Sequence, residues 1–175
     1  MGVADRLIGV ADFYHREAQR CVRGRAYLAA VVMQVAALEA ALQAMCIMYP
    51  NEVKNTAIYK SKKFRTKKSQ ALELKLHQLI DIASELSWFP AKRIVWAGKR
   101  ADVAGFTHEI RKVRNYVHPA VWARERGEVI KFTKNIYEVV YEIFDVANSW
   151  LIHKIEQNLL KRMAREEKMQ RPTAR

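Results

Sequence analysis

The chain has 175 residues, half of them hydrophobic, and this composition excludes a protein that is disordered throughout. The length suits one domain with its own hydrophobic core rather than two domains of ordinary size. Lysine and arginine number 31 against 18 aspartate and glutamate, and the net charge of +13 favours an anionic partner. Nucleic acid is the first candidate and an acidic membrane surface the second.

The N-terminal part of the chain has the apolar spacing of helices, and strand patterns are almost absent. A first helix is predicted from about Val3 to Val22, with Gly24 after its end. A second helix, from Ala26 to Met48, is almost continuously apolar and long enough to suggest a membrane span. Glu39 near its middle favours a helix buried in protein instead. We therefore expect a central core helix and no membrane segment.

A polar stretch at about 50–69 separates these helices from the rest of the chain. The third predicted helix has an inward face that runs from Leu72 to Leu86 and ends before Trp88. A loop is predicted from Gly98 to Gly105. The fourth helix is predicted from about Phe106 to His118, because the proline that follows disfavours helical geometry at the residue before it.

The last predicted helix is unusually long, with helical spacing of apolar residues from Val129 to Leu159. Continued to Met169 it would measure roughly 60 Å, which exceeds the width of a domain of this size. It therefore either breaks near Asn148 and Ser149, or its basic end protrudes. The predicted fold is all-α, a bundle of about five helices with a long C-terminal helix. Residues 1–160 would form the domain, and residues 161–175 a basic tail or helix extension.

The two cysteines and the N-terminus favour a cytoplasmic protein. Cys21 and Cys46 fall in apolar helical patterns, which predicts buried thiols in a reducing compartment. The first residues lack the layout of a signal peptide. No cluster of histidine or cysteine has the spacing of metal ligands, so we expect no metal and no cofactor.

Four side chains that suit phosphate chemistry share one face of the fourth predicted helix. They are Arg111, Arg114, Asn115 and His118. Arginine is permanently charged and binds phosphate oxygens with two nitrogens, and histidine exchanges protons near neutral pH. Cleavage of RNA without a metal needs a base, an acid and positive charge at phosphorus. One chain carries about half of this set, so two copies facing each other across a two-fold axis would complete it.

Each of these residues also has a simpler interpretation. His118 could only end the helix, and the arginines could be solvated surface charges. Glu39 could be exposed between helices. If Glu39 is buried, it should need a cationic partner, and the arginines of the fourth helix are the obvious candidates.

The pattern Arg-x-x-Arg-Asn-x-x-His-Pro at residues 111–119, in an all-helical chain, resembles the HEPN superfamily of small α-helical domains. Glu39, in the apolar stretch Ala37–Leu42, looks like the glutamate that often accompanies that motif. The resemblance implies a metal-independent ribonuclease that works as a dimer, as in toxin–antitoxin, CRISPR and other defence systems. Six residues separate Arg111 from His118, which fits the family, whereas Arg114 with Asn115 looks like the family's dipeptide. Both arginines are therefore candidates for the catalytic one.

A basic stretch within residues 54–68 is a second candidate contact for nucleic acid. Its cationic side chains are Lys54, Lys60, Lys62, Lys63, Arg65, Lys67 and Lys68. Tyr59 and Phe64 lie between them and could stack on bases, as in proteins that bind single strands. The alternative is a solvated loop, which runs of charge commonly form.

These patterns predict a HEPN-like, metal-independent endoribonuclease that acts on RNA as a homodimer, as a defence effector or toxin. An antitoxin or another regulatory protein would be a further partner. The alternative is a non-catalytic HEPN-like module that binds RNA, a nucleotide or a protein. A basic helical DNA-binding protein is a weaker third interpretation, because no helix-turn-helix pattern supports it.

Overall fold

The structure is a computed structural model that describes residues 2–61, 71–90, 94–96, 99–115 and 132–170. Over these ranges the regular secondary structure is helical apart from one short hairpin, so the all-α prediction is confirmed. The helices are α1 (Val3–Arg23), α2 (Tyr27–Met48), α3 (Pro50–Val53), α4 (Ala57–Lys60), α5 (Leu76–Glu85), α6 (Val103–Asn115) and α7 (Lys134–Gln170). A 3-10 turn occupies Ala71–Glu73, and strands β1 (Ile94–Trp96) and β2 (Lys99–Ala101) pair antiparallel.

Helix α2 lies at the centre of the described fold and contacts α1, α5, α6 and α7. By length and composition it could cross a membrane, but more than half of its most apolar stretch is buried inside the protein. Apolar side chains point in most directions around this helix, and such a helix is stable only where neighbours cover it. This burial confirms the prediction of a central core helix.

The core around α2 makes a direct prediction about stability. Leu42 is completely buried, so Leu42→Ala should lower the free energy of unfolding by about 2–5 kcal/mol through lost burial and a residual cavity. Leu28 lies on the same helix but is 42% exposed. The Leu28→Ala substitution should therefore change the free energy of unfolding by no more than about 1 kcal/mol. Urea denaturation of the two variants measures the difference. Equal losses would contradict the placement of α2.

Helices α1 and α7 run antiparallel to each other across α2. Gln19 Nε2 donates a hydrogen bond to the Tyr137 hydroxyl at 2.9 Å. Further along, the ring of His15 stacks on Phe144 with a centroid distance of 5.5 Å and lies 3.2 Å from the Gln34 amide through Nδ1. His15 is thus held within the packing of three helices and is absent from the phosphate-binding face predicted on the fourth helix.

Two elements differ from their predicted bounds. The third predicted helix begins at Leu76 rather than Leu72, because residues 71–73 form a 3-10 turn and Leu72 is 45% exposed. The predicted loop at Gly98–Gly105 instead contains β2 and the start of α6. Asp102 explains the early start, since its Oδ1 accepts a hydrogen bond from the Gly105 amide at 2.7 Å and so satisfies the first turn.

Helix α7 runs without a break through Asn148 and Ser149 to Gln170. Its 37 residues correspond to a length of roughly 56 Å. Leu160 and Met163 are 66% and 58% exposed, so this end of the helix protrudes from the bundle. The helix crosses the domain boundary predicted at residue 160, and the predicted start at Val129 lies outside the described residues.

Candidate functional site

Helix α6 places the predicted arginines beside the face that it packs into the core. Phe106 and Ile110 are each 2% exposed and pack into the main hydrophobic cluster. Arg111 and Asn115, one and five positions after Ile110, lie to the side of that contact, whereas Arg114, four positions after it, lies on nearly the same face. All three lie in the last turns of the helix and are half-buried.

Arg114 forms an ion pair with Glu39 that joins α6 to α2. Arg114 Nη2 lies 3.6 Å from Glu39 Oε2, and their side chains are only 30% and 24% exposed. This distance is longer than a good hydrogen bond, so the contact is mainly electrostatic. Glu39 is partly buried rather than buried, and the expected pairing with an arginine of this helix is confirmed, with Arg114 as the arginine concerned.

The environment of Glu39 is unfavourable to its charge despite this partner. Burial raises the pKa of the Glu39 carboxyl, and the nearby Arg114 guanidinium opposes that effect without cancelling it. Glu39 is thus a partly buried acid beside one cation, an arrangement found at functional sites as well as in structural ion pairs.

Arg111, three residues before Arg114, lies along the contact of α6 with α5. In that contact His108 Nε2 lies 3.0 Å from Asp81 Oδ1. The pKa of His77 on α5 is lowered, first by burial and then by the charge of Arg111. Arg111 Nε is buried and has no acceptor within the described part of the chain, so the guanidinium keeps unused hydrogen-bonding capacity.

The remaining predicted residues are only partly described. His118 lies in residues 116–131, outside the described ranges. In the basic stretch, Lys54 and Lys60 are exposed at the ends of α3 and α4. Five of its cations lie outside the described ranges, namely Lys62, Lys63, Arg65, Lys67 and Lys68. Phe64 lies outside them as well.

Tyr59 differs from its predicted role as an exposed stacking residue. The ring is partly buried against the core. Burial raises the pKa of its hydroxyl, and Cys46 adds to the rise. A tyrosine fixed in this packing has less freedom to stack on a base than the sequence pattern suggested.

The sequence did not indicate that His77, Asp81 and His108 lie together. His77 and Asp81 are four residues apart on α5, and His108 and Arg111 are three apart on α6. Each pair therefore lies on one helical face, but only the antiparallel packing of the two helices brings the faces into contact. The spacing of residues within each helix does not report how the two helices pack, so no signal for this cluster was present in the sequence.

Two further observations concern cofactors and ligands. No group of three metal-ligating side chains comes together among the residues that the structure describes. A separate cavity of about 280 Å³ lies between α1 and α7 above α2. Its lining is apolar apart from a few groups that include Asp12 and Asp145, and it shares no residue with the α6 face.

The comparisons with known proteins do not identify a relative. The chain gives no match to family models, to curated proteins or to solved structures. The resemblance to the HEPN superfamily therefore rests on residues 111–119 and on the setting of Glu39.

Proposed function

We propose that this protein is a metal-independent endoribonuclease of the HEPN type, active as a homodimer with a composite arginine–histidine site. The observation that carries the proposal is the Glu39–Arg114 ion pair. It fixes one of the motif's arginines through a mostly buried acid on the central helix, which a solvated surface arginine would not require.

The chemistry follows from the residue types. The 2′-hydroxyl of a ribose attacks the adjacent phosphorus and gives its proton to a base, while the bond to the 5′-oxygen breaks and that oxygen takes a proton from an acid. His118 would serve as acid or base, and Arg111 or Arg114 would stabilise the charge on the phosphorane. Asn115 would orient His118 or bind phosphate. The products are a 2′,3′-cyclic phosphate and a 5′-hydroxyl.

A second copy would supply what one copy lacks. Each chain has one His118, whereas the reaction uses an acid and a base. Two copies related by a two-fold axis would bring two histidines and two pairs of arginines to one cleft. A nuclease of this kind needs restraint in its own cell, so we propose an antitoxin or another regulatory protein as a partner.

The overall charge supports RNA as the substrate. A net charge of +13, with Lys54 and Lys60 exposed, favours contacts to a phosphate backbone that are independent of sequence. The same charge also supports the alternative of a module that binds RNA without cutting it. The two functions differ in the role of His118, which is an acid or base in the nuclease and has no catalytic role in the binding module.

The test compares purified wild-type protein with His118→Ala and His153→Gln in excess EDTA. We expect wild type to cleave RNA, His118→Ala to lose about 10²–10⁴-fold in rate, and His153→Gln to keep it. His153 is a matched control because it is exposed on α7 and bonds to Gln157 on the same helix. Equal cleavage by all three proteins would indicate contamination and favour the binding module.

A further inference from the structure

We propose that His77, Asp81, His108 and Arg111, here called the α5–α6 seam, form a subsite that binds a phosphodiester of the RNA strand and responds to pH. This inference rests on the proposed function, in that it assigns a second phosphate contact to the same substrate. It concerns binding: it assigns Arg111 to this contact and leaves the cleavage chemistry to Arg114 and His118.

The seam is built by two antiparallel helices. Asp81 on α5 meets His108 on α6 at 3.0 Å. One turn earlier on α5 is His77, and one turn later on α6 is Arg111, so the antiparallel arrangement sets these two beside each other. The seam thus carries two imidazoles and a guanidinium against one carboxylate, and it continues along α6 towards Arg114.

Arg111 has the properties of a side chain that binds an anion. Within the described residues no carboxylate lies within 4 Å of it, although Arg114 and Lys112 on the same helix both have acidic partners. Its buried Nε also finds no acceptor there. A buried donor without a partner is costly, and a phosphate oxygen is a strong acceptor for a guanidinium.

His77 provides the response to pH. Burial lowers its pKa, the charges of Arg111, Lys75 and His108 lower it further, and Asp81 opposes them. His77 is therefore neutral near pH 7 in the free protein. A phosphate placed between His77 and Arg111 would favour the protonated imidazole, so binding should take up a proton and tighten as the pH falls.

Asp81 would hold the other histidine in position. Its contact with His108 Nε2 fixes the orientation of that ring, and Nδ1 would be the nitrogen that meets the ligand. Asp81 is 53% exposed and His108 29%, so the seam is open enough for a backbone phosphate to approach.

The experiment uses a short RNA with 2′-O-methyl groups, which has no 2′-hydroxyl to attack and stays intact. Its affinity for wild type, His77→Gln, Arg111→Ala and the control His153→Gln is measured by fluorescence anisotropy between about pH 5 and 8. We expect wild type and control to bind more tightly at low pH. His77→Gln should lose roughly tenfold there and little at high pH, and Arg111→Ala should lose affinity throughout.

Proton NMR of the histidines gives a second measurement, the pKa of His77. A merely structural role of His77 would not change that pKa when RNA binds. The pKa of His77 should rise when the oligonucleotide binds and should stay unchanged with the same concentration of inorganic phosphate. A His77→Gln profile that matches wild type, or a His77 resonance that does not respond, would overturn the subsite. An equal response to inorganic phosphate would overturn the assignment to an RNA strand.

The result is separable from the proposed nuclease activity. If unmodified RNA is not cleaved but the affinity depends on His77 as expected, the subsite holds and the nuclease proposal fails. If RNA is cleaved through His118 while the His77 profile is flat, the nuclease holds and the subsite fails.

Discussion

Replacement of Arg114 by alanine should reduce RNA cleavage in EDTA by roughly 10²–10³-fold, the loss typical when one donor to a developing negative charge is removed. RNA binding should fall far less, because many other cations contact the backbone. The variant should also be less stable by about 1–3 kcal/mol, since it leaves the mostly buried Glu39 without its cation. Single-turnover cleavage, anisotropy and urea denaturation measure the three effects.

Arg16 is a matched control for Arg114. It also pairs with an acid, Asp12, at 2.8 Å, but both side chains are more than 60% exposed on α1. Exposed pairs of this kind contribute little, so Arg16→Ala should leave cleavage and stability nearly unchanged. Arg114→Ala protein with full cleavage activity would remove Arg114 from the site and leave Arg111 as the candidate.

Replacement of Glu39 by glutamine should separate activity from stability. Arg114 loses the charge that fixes it, and a displaced catalytic group can lower the rate by up to roughly 10²-fold. Stability should not fall at neutral pH, because the neutral amide removes the cost of burying a carboxylate. Cleavage assays and thermal denaturation of the same preparation measure both.

The pH dependence of stability gives the sign of the Glu39 effect. The pKa of Glu39 in the folded protein is raised above 4.5, so the folded state holds this proton more tightly than the unfolded state. In wild type its contribution to stability is therefore lost as the pH rises from about that value through the raised pKa. The Glu39→Gln variant should not show this loss of stability as the pH rises.

Glu138→Gln is the control for the Glu39 variant, because Glu138 makes an exposed pair with Lys134 at 3.2 Å within α7. It should match wild type in cleavage. If Glu39→Gln also cleaves like wild type and leaves Arg114 in place, the assignment of Glu39 to the site is wrong.

The helical fold was predictable where periodicity is long. The bounds of α1 and α2 came within a few residues of their predicted positions, because apolar spacing persists over five or six turns. The β1–β2 hairpin was missed, since strands of three residues are too short to show alternation. Whether α7 breaks or protrudes depends on what surrounds it, which spacing alone does not report.

Only part of the candidate site, the pairing of Glu39 with an arginine of α6, was predictable from the sequence. A lone acid in an apolar helix requires a cation, and this elementary argument led from Glu39 to the arginines of α6. The choice of Arg114 over Arg111 needed the helix packing, as did the approach of His77 to Arg111. Residues on different helices become neighbours only through tertiary structure, and the spacing within either helix carries no information about that contact.

The most direct measurement is an analysis of the ends that the purified protein leaves on RNA in excess EDTA, with the same sequence as DNA in parallel. Attack by the 2′-hydroxyl predicts cleavage of RNA alone, with 2′,3′-cyclic phosphate and 5′-hydroxyl ends. Intact RNA, equal cleavage of DNA, or 5′-phosphate ends would contradict a metal-independent ribonuclease built on the α6 arginines and His118.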